Sequence, residues 1–482
     1  MRLNKTFPWV IALLLAGPAV AGRSDWRQMT VGHFHLYSTL RDSRTREVAH
    51  QLQEFESTVG ELLKLEDRLP DVPTNIYILD GGDFQKYGAF RPGLAGVFYE
   101  RPYSNVIVIN GDLSFDVVKV AVFHEYTHFI QRNSSTKKMP PWFVEGYSEL
   151  FSSFNLKQDK VTVGGLPAGV GLYLDKWIPM DRLLAVKQSD PEYRAERLAT
   201  QFYGESWALV HLLVFDDKSL QRPTSLYLED LDIGLPEPDA FSQAFPFDKA
   251  ALDQAVRKLL ERRVIHVRTV TYPQGIAVDE APISPMTAAQ ADAEMTRLTF
   301  TLGWPKQVVG PLAAAARKEN GADAGVRALC ARIAARDGDP QDISDLASAL
   351  ATGGANEAQL RIDVAATLLT GNPTFEAASR AFALLDDLAH TDTTPLEAVE
   401  LWMAAADVSH VQPAKLVKVL ENASARAPHN TRMLGGLAIV QEMLGENAKA
   451  RDYYNRIILV SDRPDERLWA QKQADSLRLQ KD

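Results

Sequence analysis

Two histidines and a glutamate in a His-Glu-Tyr-Thr-His run have the residue types and the spacing that metal chemistry needs. His124 and His128 are four residues apart, so on a helix both imidazoles project from nearly the same face and can coordinate one metal ion. Glu125 lies between them, where its carboxylate can contact a water bound to that ion. The run therefore predicts a metal site suited to hydrolysis.

A tetrahedral catalytic zinc site needs a third protein ligand from another element and keeps one position open for water. Glu145 is the candidate, because it follows a Pro140-Pro141 pair that ends one helix and suits the start of the next. Glu149 lies one helical turn beyond Glu145, and we expect it to hydrogen-bond a ligating histidine from outside the coordination sphere. One helix would then supply two histidines and a second helix two carboxylates.

The residues before the histidines favour a helix. Ser114 can cap its N-terminus, and Val117, Val120 and Ala121 continue the histidine stripe toward that end. We therefore expect both histidines to face inward. In the alternative interpretation they are surface or core residues whose ring nitrogens are satisfied by ordinary hydrogen bonds.

The pattern His-Glu-x-x-His followed by Trp-x-x-Glu-Gly-x-x-Glu resembles the gluzincins, the thermolysin-like clan of zinc metallopeptidases, and particularly their peptidase-MA-like bacterial branch. The resemblance covers about residues 26–265. Besides the two motifs it includes segments similar to the strands and later helices of that branch, at residues 26–36, 75–79, 105–110, 202–210 and 240–245.

The resemblance implies zinc ligation by His124, His128 and Glu145. It also implies that Glu125 is the general base and that Tyr203 donates a hydrogen bond in the transition state. Peptide hydrolysis requires these roles: zinc lowers the pKa of its bound water to about 7 and polarises the carbonyl, a carboxylate carries the proton to the leaving amine, and a phenol stabilises the oxyanion. For Tyr203 the alternative is a packing role on an amphipathic helix.

A stretch upstream of the histidines bears on the substrate. Gly93 to Glu100 lacks the Gly-x-Met-Glu-Asn-type strand with which aminopeptidases of this clan hold the free amine of a substrate. The stretch is Gly-rich and flanked by extended sequence. It is either an edge strand along which a peptide adds through main-chain hydrogen bonds or a plain hairpin edge. A peptide or protein is the expected substrate.

The N-terminus has the pattern of a secretory signal peptide. Arg2 and Lys5 precede an apolar run from Phe7 to Ala16 and a small-residue Ala-Val-Ala site that ends at Ala21. An uncleaved anchor is the alternative, but the apolar run is shorter than the ~20 residues that span a bilayer. Residues 1–21 are therefore predicted to be removed, and a bacterial periplasmic or secreted location is expected.

Composition restricts the compartment and the partners. The chain has 482 residues, 46% of them hydrophobic, which is enough for two or more cores. Cys330 is the only cysteine, so disulfides within the chain are excluded. A formal net charge of −10 disfavours nucleic acid and anionic membrane surfaces as partners. No stretch after the signal peptide has the length and apolarity of a membrane span.

The composition and periodicity of the sequence change after residue 266. Residues 267–285 contain prolines without clear periodicity and predict a linker, and residues 286–482 are Ala- and Leu-rich with helical spacing. Asn430 to Asp462 resembles the 34-residue tetratricopeptide repeat, a helix-turn-helix unit, and residues 286–317, 361–388 and 395–427 resemble degenerate copies. Such units stack because each buries its apolar face only against its neighbours.

We therefore expect an α+β fold in which a gluzincin-like zinc peptidase domain, residues 22–266, precedes an all-α tetratricopeptide-like solenoid. The solenoid either binds a protein partner in its concave surface or packs on the peptidase and binds nothing. Two other functions compete with a peptidase. One is a non-catalytic envelope scaffold whose helical repeats bind partner proteins, and the other is a zinc amidase acting on the stem peptides of peptidoglycan.

Overall fold

The computed structural model describes residues 26–479, except 64–71, 89–95, 102, 135–138, 167–176, 188, 195, 263, 273, 339–357, 392–393 and 462. The predicted signal peptide lies outside the described residues. The fold is mixed α and β, with a six-stranded sheet formed mainly by the N-terminal half and helices throughout the C-terminal region. Within the described ranges, no helix combines the length and the apolarity needed to cross a bilayer.

The strands of the large sheet are β1 (Arg27–Val31), β2 (Phe34–Ser38), β3 (Thr74–Leu79), β4 (Gly96–Glu100), β5 (Asn105–Asn110) and β9 (Ser284–Pro285). Their order in the sheet is β4-β5-β3-β2-β1-β9. β2 is parallel to β3 and β3 to β5, whereas the other neighbours are antiparallel. The segment similar to an opening strand, residues 26–36, instead contains β1, a turn at Gly32 with φ +55° and the first residues of β2.

Both faces of the central strands are buried, which is why β3 and β5 read as nearly continuous apolar runs. Ile76 and Ile107 lie on the face that joins the main core of the protein. Tyr77 and Val108 lie on the opposite face, in a second cluster completed by Met295 of the C-terminal region. Helices therefore cover the sheet from two different parts of the chain.

The N-terminal half contains ten α-helices in its described residues. Their bounds are α1 (Asp42–Leu63), α2 (Gly81–Asp83), α3 (Phe115–Ser134), α4 (Pro141–Ser152), α5 (Met180–Ala185), α6 (Pro191–Arg194), α7 (Glu196–Val210), α8 (Gln221–Asp232), α9 (Glu237–Ala244) and α10 (Lys249–Leu260). Phe84–Gly88 and His211–Asp216 form π-helical turns, and Lys218–Leu220 a 3₁₀ turn. The paired motifs of the sequence lie on α3 and α4.

The segment predicted as a linker, residues 267–285, carries two short strands. β8 (Arg268–Thr271) pairs with β7 (Lys160–Val163), which also pairs with β6 (Asn155–Lys157), and β9 adds to the edge of the large sheet at β1. Between β8 and β9, Glu280 accepts a hydrogen bond from Arg46 of α1 at 2.8 Å. The segment thus runs along the N-terminal half, and the predicted domain boundaries remain a prediction.

The C-terminal region is helical wherever it is described, and successive helices lie side by side. Cys330 is buried among them as a free thiol. The segment expected to be a repeat, residues 430–462, forms two adjacent helices. The bounds are α11 (Ala288–Thr301), α12 (Lys306–Asn320), α13 (Ala324–Arg336), α14 (Ala358–Leu368), α15 (Phe375–Ala389), α16 (Leu396–Val408), α17 (Val417–Arg426), α18 (Thr431–Met443), α19 (Asn447–Val460) and α20 (Pro464–Leu479), with a 3₁₀ turn at Pro413–Lys415.

Candidate metal centre

α3 is fixed in the core by aromatic packing next to the histidines. The ring of Phe123 stacks on Phe55 of α1 at a centroid distance of 4.1 Å, and Phe123 is completely buried. The apolar stripe of α3 runs through Val118 and Val122, while Ala121, expected on the buried face, is exposed. The histidines therefore lie beside the buried stripe instead of continuing it.

α4 begins at Pro141, as the proline pair predicts, and packs between α3 and α7. Gly146 allows α4 and α7 to approach closely, because a Cβ at this position would lie 2.2 Å from the carbonyl oxygen of Ser206. The Glu-Gly pair of the motif thus has two separate functions. Glu145 faces α3, and the following glycine lets the backbone of α7 lie against α4.

Three potential metal ligands converge between α3 and α4. Nε2 of His124 and Nε2 of His128 are 3.0 Å apart, and Glu145 Oε2 lies 3.3 Å from the first and 3.2 Å from the second. Their side chains are 12%, 14% and 2% exposed. In the described part of the chain, this is the one group of three or more His, Cys, Asp or Glu residues whose ligand atoms lie within 4.8 Å of one another.

The opposite nitrogens of the two imidazoles have partners of their own. Nδ1 of His124 lies 3.3 Å from Glu149 Oε1, and Nδ1 of His128 lies 3.0 Å from Ser148 Oγ. A carboxylate or hydroxyl acceptor on the Nδ1 side favours the tautomer that carries its proton there, which leaves the Nε2 lone pair free. Glu149 therefore occupies the place expected of a residue that orients a ligand.

The carboxylate of Glu145 is divided between two environments. Oε1 accepts a hydrogen bond from the hydroxyl of Tyr193 at 2.5 Å, whereas Oε2 is buried and faces the Nε2 atoms of both histidines. Burial raises the pKa of Glu145, but the two neighbouring imidazoles outweigh it and hold that pKa below its usual range. A buried, charged oxygen facing two imidazole nitrogens fits a metal ligand, since a cation would interact with all three atoms whereas one proton can bridge only two of them.

His124 has the opposite shift. Burial lowers its pKa, but the carboxylates of Glu145 and Glu149 outweigh burial and raise the pKa well above 6.5. The cluster is thus strongly favourable for positive charge at the position between the three ligand atoms. This is the electrostatic property that a cation site requires.

Tyr203 of α7 lies at the same cluster, with its ring centroid 6.0 Å from that of His124. Burial raises the pKa of its hydroxyl, and the charges of Glu145 and Glu125 raise it further. The phenol therefore stays protonated and able to donate. Glu125 is half-buried on α3, close enough for its charge to act on Tyr203. The structure thus brings all six residues singled out from the sequence into one neighbourhood.

Two residues of the cluster were missed by the sequence analysis. Ser148 is three residues after Glu145, so helical spacing alone would have placed it on the same face. Tyr193 gives no such signal, because it lies 48 residues from Glu145 in the chain and meets it only through the packing of α6.

No family model, curated protein or solved structure matches this chain. The site can hold a metal ion through His124, His128 and Glu145.

Proposed function

We propose that the protein is a zinc metallopeptidase of the gluzincin type, which hydrolyses peptide bonds of peptides or proteins. The observation that carries the proposal is the convergence of two imidazole nitrogens and one buried carboxylate oxygen within 3.3 Å of one another. Ordinary hydrogen bonds join polar atoms in pairs and would not require all three atoms to lie this close together.

The donor set supports zinc as the metal. Tetrahedral zinc with bond lengths of about 2.0 to 2.1 Å separates its ligand atoms by roughly 3.3 Å. The three separations here are 3.0, 3.2 and 3.3 Å. Two imidazoles and one carboxylate form a donor set typical of catalytic zinc, with a fourth position left for water or substrate.

Zinc in this site would supply a Lewis acid and a water of pKa about 7. Glu125 follows a ligating histidine directly, and its carboxylate accepts the proton of the attacking water and returns it to the leaving amine. Tyr203 donates a hydrogen bond to the developing oxyanion. Its ring lies 6.0 Å from that of His124, and its phenol keeps its proton at neutral pH and can therefore donate.

β4 supports a peptide as the substrate. It is the terminal strand of the large sheet and is antiparallel to β5, and in the described part of the chain no strand pairs with its other side. It also lies against α3, since a Cβ on Gly96 would be 3.0 Å from Val118 Cγ1. An extended peptide can add to such an edge through main-chain hydrogen bonds. The proposed location is the periplasm or the exterior, reached by the predicted signal peptide.

The decisive experiment combines metal analysis of the purified protein with a peptide-library cleavage assay, using Glu125→Gln as the matched control. The variant keeps all three ligands but lacks the proton acceptor, so we expect normal zinc content and a kcat about 10²- to 10⁴-fold lower. Wild-type turnover by this variant, with contaminating proteases excluded, would contradict the mechanism. Separate incubations with peptidoglycan and with unfolded protein distinguish an amidase from a peptidase.

One observation favours a second candidate function, the binding of a protein partner by tetratricopeptide-like repeats. A cavity of about 780 Å³ opens between α16, α18, α19 and α20. Its walls are mostly apolar, and Ile439, Met443 and Trp469 are exposed there. A scaffold that only binds would show zinc but no turnover above the Glu125→Gln variant on any substrate. The same assay therefore separates the two functions.

A further inference from the structure

The hydroxyl of Tyr193 contacts the proposed zinc ligand Glu145 on the oxygen that faces away from the histidines. The O–H···O distance is 2.5 Å, in the range of hydrogen bonds to an ionised carboxylate. Glu145 is therefore held by one donor at Oε1, while Oε2 alone faces the two Nε2 atoms. A carboxylate can bind a metal through one oxygen or through both, and the difference decides how many positions remain open.

We propose that Tyr193 is a positioning residue that restricts Glu145 to ligation through Oε2 and thereby keeps a coordination position free for water or substrate. This inference rests on the proposed function of the site. Oε1 would have to break its hydrogen bond with Tyr193 before it approached the ion. Tyr193 therefore acts through Glu145 and does not itself touch the reacting atoms.

The location of Tyr193 suits this role, because α6 is held against its surroundings independently of the metal centre. Arg182 of α5 binds both oxygens of Glu192, at 2.8 and 2.6 Å, and Asp190 at 2.9 Å. The ring of Tyr193 also lies edge-on to Tyr203, with 6.2 Å between centroids. The hydroxyl is thus presented to Glu145 by a short helix that ion pairs with Arg182 tie to α5.

Tyr193→Phe removes this hydroxyl and leaves the ring. We expect zinc affinity to fall about 10- to 100-fold, as for other residues that orient a ligand. We also expect the visible absorption of the cobalt-substituted protein to weaken and shift, because Glu145 can then bind through both oxygens and raise the coordination number. Competition with a chelating indicator measures the affinity, and a cobalt titration of the metal-free protein gives the spectrum.

Tyr203→Phe is the matched control, since it removes a neighbouring hydroxyl for which the described residues show no hydrogen bond with Glu145. It should keep the wild-type affinity and cobalt spectrum while kcat falls. Arg182→Gln should loosen α6 without changing a residue of the site. We expect it to lower zinc affinity and shift the cobalt spectrum in the same direction as Tyr193→Phe, but by a smaller amount. This variant provides an independent test if Tyr193→Phe folds poorly.

The outcomes separate this inference from the proposed function. Unchanged affinity and cobalt spectrum in Tyr193→Phe, with wild-type protein that binds metal, would overturn the inference alone. A lower kcat with unchanged affinity and spectrum would also overturn it, because Tyr193 would then contact the substrate. Wild-type protein that binds neither zinc nor cobalt would overturn both.

Discussion

Glu205 should make the protein less stable as the pH rises above 5. Its side chain is fully buried on α7, where Oε1 accepts hydrogen bonds from the amide of Ile178, at 2.9 Å, and from Gln201. Oε2 has no hydrogen-bond partner. Burial raises the pKa of Glu205 from 4.5 to about 7, although the two hydrogen bonds oppose the rise.

The sign of the effect follows from proton binding. Because the pKa is raised on folding, the folded chain binds this proton more tightly than the unfolded chain does. The resulting stabilisation is complete below about pH 4.5 and is lost as the pH rises through 7. At about 1.4 kcal/mol per pKa unit, the shift corresponds to about 3 kcal/mol, of which roughly 2 to 3 kcal/mol disappears between pH 5 and pH 8.

Glu205→Gln tests this directly, since the amide has nearly the same shape and no charge at any pH. Urea unfolding of the wild type and the variant at pH 5, 6, 7 and 8 gives the difference in stability at each pH. We expect the variant to gain about 2 to 3 kcal/mol relative to the wild type across this range. A difference between Glu205→Gln and the wild type that does not change with pH would refute the reasoning.

Other substitutions test the packing and the ligand set. Gly146→Ala should cost about 3 kcal/mol in urea unfolding, because its Cβ would lie 2.2 Å from the carbonyl oxygen of Ser206. Gly435→Ala on α18, where a Cβ would make only an ordinary contact with Trp469 at 3.6 Å, should raise stability by up to about 1 kcal/mol. Glu145→Ala should abolish most zinc affinity, whereas Glu149→Ala should weaken it about 10- to 100-fold. The reverse order in an indicator titration would mean that the third ligand is misassigned.

The candidate ligands could be predicted from the sequence because their arrangement depends mainly on local rules. His124 and His128 share a helix face by spacing alone, and Pro141 fixes where the next helix begins. The packing of α3 against α4 then brings the side chain of Glu145 close to the two histidines. The convergence of the three candidate ligands therefore follows from the spacing of residues along two helices and from the packing of one helix on the other.

Features that depend on contacts between distant parts of the chain could not be predicted from the sequence in this way. The opening segment turns at Gly32 because β1 pairs back on β2, and β1 is covered on its other side by β9, more than 250 residues later in the chain. The Pro-containing segment at residues 267–285 reads as a linker because its two strands are short and lack a buried face. Tyr193 reaches Glu145 only because α6 is packed in place.

Contacts between distant parts of the chain also join the C-terminal helical region to β4, the edge strand that is proposed to bind substrate. Tyr103 lies in the turn between β4 and β5, where its hydroxyl donates to Glu400 of α16 and accepts from Arg432 of α18. Arg101, at the end of β4, donates to the Leu302 carbonyl at 3.0 Å. A fragment ending at residue 266 would therefore lose the supports of its edge strand, and also β8 and β9. Loss of the proposed peptidase activity in such a fragment would show that the edge strand β4 needs these supports. Only the metal content of the fragment would show whether the centre between α3 and α4 is intact.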